Sequence, residues 1–371
     1  MNSRVKLVNL LMTRACNLRC AYCYVRHGFH DAMTEETAHQ AIQDAFARDA
    51  DDFDRIEFAF LGGEPFLAFP VLKAVCEWMW SREWPKPYCL SASTNGTVIT
   101  GEIREWLARN HHRFFISLSY DGGKDTQNEN RSGSAEKIDL MFFQKYWPQV
   151  PLKLTADEQT VDHLARDVMD LKERGFLVND TFADGVPPWE EDSLRRLDGQ
   201  LARLCAYDLA HPGQAPSRLL NIDLSSVLSN VPKDSFCCGA GHSQVTYDWE
   251  GSRHPCHLLS PLVLSPEEME QFRREWHAPK KTLTGCQGCP LDSICPACGG
   301  NAFRMHHTCW RREAKTCALF LHQLYYACVF QMKRLLADDQ RTGKDFLAYA
   351  AVCKIMGLQI MQPIIAGAQP V

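Results

Sequence analysis

Along the first half of the chain, short apolar β-branched runs alternate with segments whose apolar residues recur at helical spacing, the pattern that builds parallel sheets and barrels. Val5 to Met12, Ile56 to Leu61, Leu90 to Ser93, Phe114 to Ser119, Leu152 to Thr155 and Leu177 to Phe182 read as strands. Between them, Thr34 to Arg48 (with Thr34 as N-cap), Phe69 to Trp80, Glu102 to Arg109, Ala135 to Tyr146 and Val161 to Arg174 read as helices. Six βα units fall short of the eight that close a barrel. The pattern therefore predicts an α/β fold, a partial (β/α)6 TIM-like barrel with a mouth wide enough for a large substrate.

The alternation stops near Asp192. Asp192 to Leu209 reads as one more helix, the chain after Pro212 is irregular, and Leu319 to Leu336 and Phe346 to Gln359 return to helical spacing. These changes divide the chain into a barrel at 1–190, a helical linker at 191–235, a cysteine-rich segment at 236–320 and a C-terminal helical segment at 321–371.

Composition first narrows the class. The 371 residues are 45% hydrophobic and 23% charged, enough for a sizeable core or two. A formal net charge of -5 gives no overall electrostatic footprint for nucleic acid. No stretch approaches the roughly 20 apolar residues that span a bilayer. Thr13 and Arg14 break the opening apolar run and no small-residue cleavage site follows, so a cytoplasmic protein without membrane or nucleic-acid partners is expected. Seventeen cysteines then change the picture, because an odd number excludes a fully paired intramolecular disulfide framework. In a reducing compartment such thiols stay free or bind metal. Twelve lie beyond residue 204, most between Phe236 and Ala318, in a segment without the apolar periodicity to hold itself together; it is expected to depend on metal crosslinks.

Immediately after the first strand, Cys16, Cys20 and Cys23 form a C-x3-C-x2-C loop. Three thiolates this close can hold three irons of a [4Fe-4S] cube and leave the fourth iron without a protein ligand. A closed zinc loop is the alternative and needs a fourth ligand, for which His27 and His30 are nearest; a chance cluster of buried cysteines is the other. Further polar turns end the next strands: Gly62-Gly63-Glu64-Pro65, Ser93-Thr94-Asn95-Gly96 and Ser119-Tyr120-Asp121-Gly122, with Arg131 following in an Asn-Arg-Ser-Gly-Ser stretch. Glycines let backbone approach a bound group, Glu64 can accept bonds from an ammonium, and Asn95 and Ser119 can bond hydroxyls or a carboxylate. All stand at the C-terminal ends of strands, where the active sites of βα barrels assemble.

With these motifs in register, the sequence resembles the radical S-adenosylmethionine (radical SAM) enzymes. The resemblance implies that Cys16, Cys20 and Cys23 hold the SAM-binding [4Fe-4S] cluster and that Tyr22 is the aromatic residue preceding the third cysteine. It implies that Gly62, Gly63, Glu64 and Pro65 receive the SAM amino group. Ser93, Asn95, Ser119 and Asp121 would contact its ribose and carboxylate, and Arg131 would point toward the cofactor. The implied chemistry is reductive cleavage of SAM to a 5′-deoxyadenosyl radical that abstracts hydrogen from an unactivated C–H bond, with an external electron donor such as flavodoxin or ferredoxin.

A second cysteine field follows. Cys286, Cys289, Cys295 and Cys298 form a C-x2-C-x5-C-x2-C array with Cys317 beyond it, and Cys237, Cys238 and Cys256 precede it, Gly251 standing five positions before Cys256. Taken alone, the array supports a zinc knuckle. Beside the first motif it resembles the SPASM extension of radical SAM enzymes, although the last internal gap is two residues where that pattern has three. The resemblance implies two auxiliary [4Fe-4S] clusters. Cys286, Cys289, Cys295 and Cys317 would hold the second. Cys238, Cys256 and Cys298 would hold the first, with Cys237 and Cys309 competing as its extra ligand and an open iron as the third option.

The other cysteines, Cys76, Cys89, Cys205, Cys328 and Cys353, read as buried small hydrophobes. His111-His112 and His306-His307 read as surface or hydrogen-bonded pairs, and Trp78, Trp80 and Trp84 as helix packing. His257, next to Cys256, and Asp184, at the end of the sixth strand, are candidate proton acceptors or substrate contacts.

Auxiliary clusters in this family accompany peptide chemistry, so the resemblance implies a ribosomally made peptide or protein as substrate, modified by crosslinking, α-carbon chemistry, excision or side-chain oxidation. The first strand begins within the first ten residues, so a separate leader-peptide-binding protein, or the barrel itself, is expected to hold any leader. The rival is an anaerobic sulfatase-maturing (formylglycine-generating) enzyme. In that branch an aspartate follows the cysteine aligned with Cys256, where this chain has His257. A radical SAM enzyme acting on a small molecule and a non-catalytic iron–sulfur electron carrier are the remaining readings; the full cysteine complement disfavours the first and the SAM-contact positions the second.

Overall fold

A computed structural model describes residues 4–49, 52–184, 189–229, 236, 238–276, 286, 288–337, 342–369 and 371. In chain order the elements are β1 (Val5–Thr13), α1 (Glu35–Asp49), β2 (Arg55–Gly62), α2 (Phe69–Trp80), β3 (Tyr88–Thr94), α3 (Gly101–Asn110), β4 (Phe114–Leu118), α4 (Lys124–Asn130), α5 (Leu140–Tyr146) and β5 (Leu152–Ala156). There follow α6 (Leu164–Glu173), β6 (Val178–Phe182), α7 (Glu191–Ala210), β7 (Gln244–Tyr247), β8 (Arg253–His254), α8 (Pro266–Trp276), α9 (Gly299–His306), α10 (Ala314–Ala337), α11 (Gly343–Met356) and α12 (Gln362–Gly367). The chain forms two compact units, each discontinuous in sequence. Met1–Tyr120, Gln127–Leu152 and Cys238–Ala278 make the first; Asp121–Thr126, Lys153–Cys237 and Pro279–Val371 make the second.

The first unit is built on a sheet of order β4-β3-β2-β1-β7-β8. Its inner strands are apolar on both faces: Val8, Leu10, Leu11 and Met12 of β1 and Phe58 and Phe60 of β2 have no exposed surface, as a parallel sheet covered on both sides requires. The register runs Val5 opposite Arg55 to Leu11 opposite Leu61, Ile56 opposite Tyr88, and Leu90 opposite Phe114, all parallel. Parallel pairing brings the carboxyl ends of β1, β2, β3 and β4 to one edge, and with them every motif that follows a strand.

The six expected strands and the helices between them are present, with ends shifted by a few residues. Ala135 to Tyr146 divides into a 3-10 turn at Ala135–Lys137 and α5. The hairpin of β7 and β8, together with α8 and α9, lies in the region expected to be irregular. Strands of four and two residues are too short to show a period. β7 nevertheless pairs parallel with β1, from Leu7 opposite Gln244 to Leu10 opposite Tyr247. Its turn is fixed locally. Gly251 takes φ +82°, and the Asp248 carboxylate accepts bonds from Glu250 N at 3.0 Å and Ser252 N at 2.9 Å and meets His254 Nε2 at 2.7 Å. This is the physical content of the G-x4-C spacing, since the turn that needs glycine sets where Cys256 leaves the hairpin.

The second unit holds the β5-β6 sheet and packs α10 against α7 and α11. Leu291 and Ile294 belong to a buried cluster with Phe320, Leu324, Val352 and Ile355, and Cys289, Cys295 and Cys317 pack against it. The expectation that the cysteine-rich segment depends on metal crosslinks is amended accordingly: its later part has apolar anchors of its own. Among the five cysteines read as buried hydrophobes, Cys76, Cys205 and Cys328 are fully buried and Cys89 is half-buried, but Cys353 is exposed on α11. No single helix among the described residues is long and apolar enough to cross a membrane.

Lys172 of α6 and Asp208 of α7 form a buried ion pair, their side chains 5% and 2% exposed. Asp208→Asn strands the ammonium and is expected to destabilise the protein by about 3–5 kcal/mol. Adding Lys172→Met should recover at least half of that. Urea midpoints of the two variants check it, and equal midpoints for Asp208→Asn and wild type would refute it.

Candidate functional site

Cys16, Cys20 and Cys23, each half-buried, occupy the loop that leaves β1 at the common strand edge. The neighbouring motifs hold this loop from several sides. Gly63 N donates to Thr13 O and Glu64 N to Ala15 O, both at 2.8 Å. The Asn95 amide donates to Asn17 Oδ1 at 2.9 Å, and Asn17 in turn donates to Thr97 Oγ1 at 2.7 Å. At the end of α4 and just beyond it, Ala21 N donates to Asn130 O and Arg19 N to Ser132 Oγ, each at 2.8 Å, while the Arg131 guanidinium lies 5.3 Å from the Tyr22 ring centre.

The glycines of the Gly-Gly-Glu-Pro turn have a steric reason. A Cβ on Gly62 would stand 2.2 Å from Thr13 O, and one on Gly63 2.2 Å from Ala15 O. Only bare backbone lets the turn press against the start of the cysteine loop.

Glu64 is 1% exposed, and its carboxylate accepts from Thr94 Oγ1 at 2.8 Å, Asn95 N at 2.8 Å and Phe66 N at 3.2 Å. Burial pushes its pKa up to about 7, against the lowering by those three donors. Pro65 is buried at the start of the 3-10 turn that Glu64 caps. Ser93 is half-buried on β3, and half-buried Ser119 donates its backbone N–H to Thr94 O at 2.9 Å. Asp121 is buried in the second unit, where its Oδ1 accepts from Thr155 N at 3.0 Å. Burial raises the Cys16 pKa; the Leu18 backbone and Arg19 lower it, while Glu64 and Cys23 lie within electrostatic reach and raise it further. Three partly screened soft donors on one loop are a donor set suited to iron–sulfur ligation.

The first unit also holds buried Cys256 and exposed Cys238. The His257 ring lies 5.4 Å from that of Tyr24, the residue after Cys23. Cys237 lies outside the described residues.

In the second unit, Cys286, Cys289, Cys295 and Cys317 form one electrostatic neighbourhood. Burial raises the pKa of Cys286 and Cys317 and pushes that of Cys295 up to about 11, while Arg312 lowers all three. Among the described residues, no three His, Cys, Asp or Glu side chains stand close enough together to hold a single metal ion. Nε and Nη2 of Arg312 are buried without a hydrogen-bond partner, the environment that an anionic group among these thiols would complete. Cys298 caps α9, its Sγ accepting from Asn301 N at 3.5 Å, and Cys309 is fully buried. A cavity of about 480 Å³ is lined in part by Asp184, Cys298, Asn301, Met305 and Arg312. Burial raises the Asp184 pKa, offset in part by the Asn301 amide, which donates to its Oδ1 at 3.3 Å.

Sequence reasoning missed Asn17, Asn130, Ser132, Asn301 and Arg312. Asn17 lies inside the cysteine motif and Arg312 in a Trp-Arg-Arg-Glu run beside Cys309, signals that spacing rules for ligands pass over. His111 contacts the Ala108 carbonyl at 2.9 Å and His306 pairs with Glu313 at 3.2 Å. Trp78 stacks on His39 and Trp80 on Trp106, as packing residues do.

The Radical SAM superfamily model matches residues 10–139. The cysteine-type anaerobic sulfatase-maturating enzyme of Clostridium perfringens (strain 13 / Type A) is 27% identical over 266 residues, covering 65% of this chain and 71% of that relative. The solved structure of native anSMEcpe with bound AdoMet superposes with TM-score 0.69 at 19% identity, over 90% of this chain and 100% of that one. Streptococcus suis SuiB bound to S-adenosylmethionine superposes with TM-score 0.57 at 14% identity, over 85% and 75%. These structural likenesses establish the fold.

Two outcomes follow from the site's geometry. Gly63→Ala must displace the Ala15 carbonyl, costing about 1–3 kcal/mol, and anaerobic reconstitution should then load about four fewer irons per chain; wild-type iron content would contradict this. Because the Glu64 pKa is raised from 4.5 to about 7, the folded chain holds a proton that the unfolded chain loses in that window. The associated stability is full below the lower value and lost as pH rises to the upper, by roughly 3 kcal/mol in cluster-free protein. Urea midpoints measured across that window should fall for wild type and stay level for Glu64→Gln.

Proposed function

Because the chain carries a radical SAM domain and is an enzyme related to the sulfatase maturases and to SuiB, we propose that it modifies a ribosomally made peptide or protein by abstracting hydrogen from one of its C–H bonds. The carrying observation is the convergence of the motifs after β2 and β3, and of the stretch at the end of α4, on the Thr13–Cys23 segment that carries the three cysteines. When bound, SAM on its [4Fe-4S] cluster supplies a 5′-deoxyadenosyl radical, and auxiliary clusters supply an acceptor for the substrate's electron.

The chain's own residues bind, orient and take up protons. Cys16, Cys20 and Cys23 hold the first cluster. Gly62 and Gly63 bring backbone against their loop; Glu64 and Pro65 fix that turn; Ser93, Asn95, Ser119, Asp121, Tyr22 and Arg131 shape and line the SAM site. Cys286, Cys289, Cys295 and Cys317 hold one auxiliary cluster. Cys238, Cys256 and Cys298 contribute to the other, with Cys237 or Cys309 as its extra ligand.

Asp184, on the cavity wall with a raised pKa, is the group suited to take a proton from a side chain held there; His257 is the second candidate. Native anSMEcpe is solved with bound AdoMet and Cp18Cys peptide, and SuiB is solved with precursor peptide SuiA, which supports a peptide as substrate here. A flavodoxin- or ferredoxin-type donor supplies the electron.

A second reading has its own support. The alignment with the sulfatase-maturating enzyme extends over 65% of this chain, so oxidation of a sulfatase cysteine or serine to formylglycine stands beside precursor maturation. A peptide copied from the modified segment of a sulfatase separates the two: an aldehyde product selects sulfatase maturation. Modification only of a precursor encoded beside the gene selects the first reading.

Anaerobically reconstituted wild type should carry about twelve irons per chain and release 5′-deoxyadenosine with SAM and reductant. Cys16→Ala, Cys20→Ala or Cys23→Ala should abolish that product. Cys289→Ala should keep uncoupled SAM cleavage and lose peptide modification. Complete loss of cleavage in folded Cys289→Ala protein would break this division of labour.

A further inference from the structure

Arg312 stands two residues before α10, five residues ahead of Cys317, and is among the residues lining the 480 Å³ cavity of the second unit. Its Nε and Nη2 atoms are buried and unpartnered, an arrangement that leaves two donors of a permanent cation desolvated without return. The adjacent acid does not relieve it. Glu313 is engaged by His306 at 3.2 Å and by Lys315 N at 3.4 Å, and no ion pair among the described residues includes Arg312. Cys286, Cys295 and Cys317 all lie within electrostatic reach of the guanidinium.

We propose that Arg312 is a positioning residue for the iron–sulfur cluster of Cys286, Cys289, Cys295 and Cys317, its Nε–H and Nη2–H donating to cluster sulfur and its charge making that cluster easier to reduce. The inference rests on the reading that these four cysteines hold iron–sulfur rather than zinc. One-electron reduction adds a negative charge to the cluster. A fixed cation at hydrogen-bonding range stabilises the reduced form more than the oxidised one, and hydrogen bonds to the sulfurs act in the same direction. An arginine is suited to this because its planar fork cannot lose its proton and can direct two N–H groups at neighbouring acceptors.

The test is an anaerobic, EPR-monitored redox titration of the full chain carrying Cys16→Ala, Cys20→Ala and Cys23→Ala, so that only auxiliary clusters contribute. The signal of interest is the one that Cys289→Ala removes. Arg312→Met should leave iron content unchanged and change the reduced-to-oxidised ratio at fixed potential at least tenfold toward oxidised, a midpoint about 59 mV more negative. Arg312→Lys should return the midpoint toward the wild-type value, and the other auxiliary signal should not move. If Arg312→Met does not accumulate as folded protein, Arg312→Gln, which removes the charge but keeps a donor, supplies the same reading. An iron-replete neutral variant with an unchanged or more positive midpoint overturns the proposal alone. A parent chain without iron at these cysteines overturns the functional reading and the proposal with it.

Discussion

The first unit depends on one close approach: the backbone of Gly62 and Gly63 against the backbone of Thr13 to Ala15. Neither glycine has room for a Cβ, and two hydrogen bonds across the contact, Gly63 N to Thr13 O and Glu64 N to Ala15 O, continue the β1–β2 ladder past the last paired residues. The loop carrying Cys16, Cys20 and Cys23 therefore starts from a fixed point rather than from a free strand end. Asn95, Asn130 and Ser132 then secure its later part. A loop whose backbone is held this way has less conformational entropy to lose when its thiols take up a ligand.

Glu64 shows how such a contact is maintained. Its carboxylate is out of reach of solvent and would be expensive if unsatisfied, yet Thr94, Asn95 N and Phe66 N supply three donors drawn from β3 and from the turn it caps. One acidic side chain thus links the ends of two strands. It braces the sheet edge, because a turn that must be bare of side chains at two positions has to be held by a third.

Legibility followed length and chemistry. β1 to β6 were readable because short apolar runs alternating with segments of helical spacing have few alternatives, and the turn motifs were readable because glycine and acid at a strand end require a reason. β7 and β8 were not readable, since six residues in two pieces carry no period; the tertiary pairing of Gln244 to Tyr247 with β1 decides them. The spacing from Gly251 to Cys256 was legible as a pattern, while its cause, the Asp248-braced turn, was not. The apolar anchoring of Cys289, Cys295 and Cys317 was hidden for a different reason: Leu291 and Ile294 are two isolated apolar residues whose partners lie on α10 and α11, tens of residues away. A segment poor in local apolar pattern can still be rich in long-range packing.

That anchoring bears on what the cysteine field does. Were the four thiols the only thing holding their segment, ligation would be mainly a folding device, as in small metal-stapled domains. Here Cys289, Cys295 and Cys317 rest on a core made by other residues, and Arg312 lies within electrostatic reach of Cys295. A structural site has no use for a cavity at its side. This one has a cavity of about 480 Å³ whose lining includes Arg312, Cys298 and the Asp184–Asn301 pair. In the second unit, then, apolar side chains far apart in sequence supply the packing on which Cys289, Cys295 and Cys317 rest.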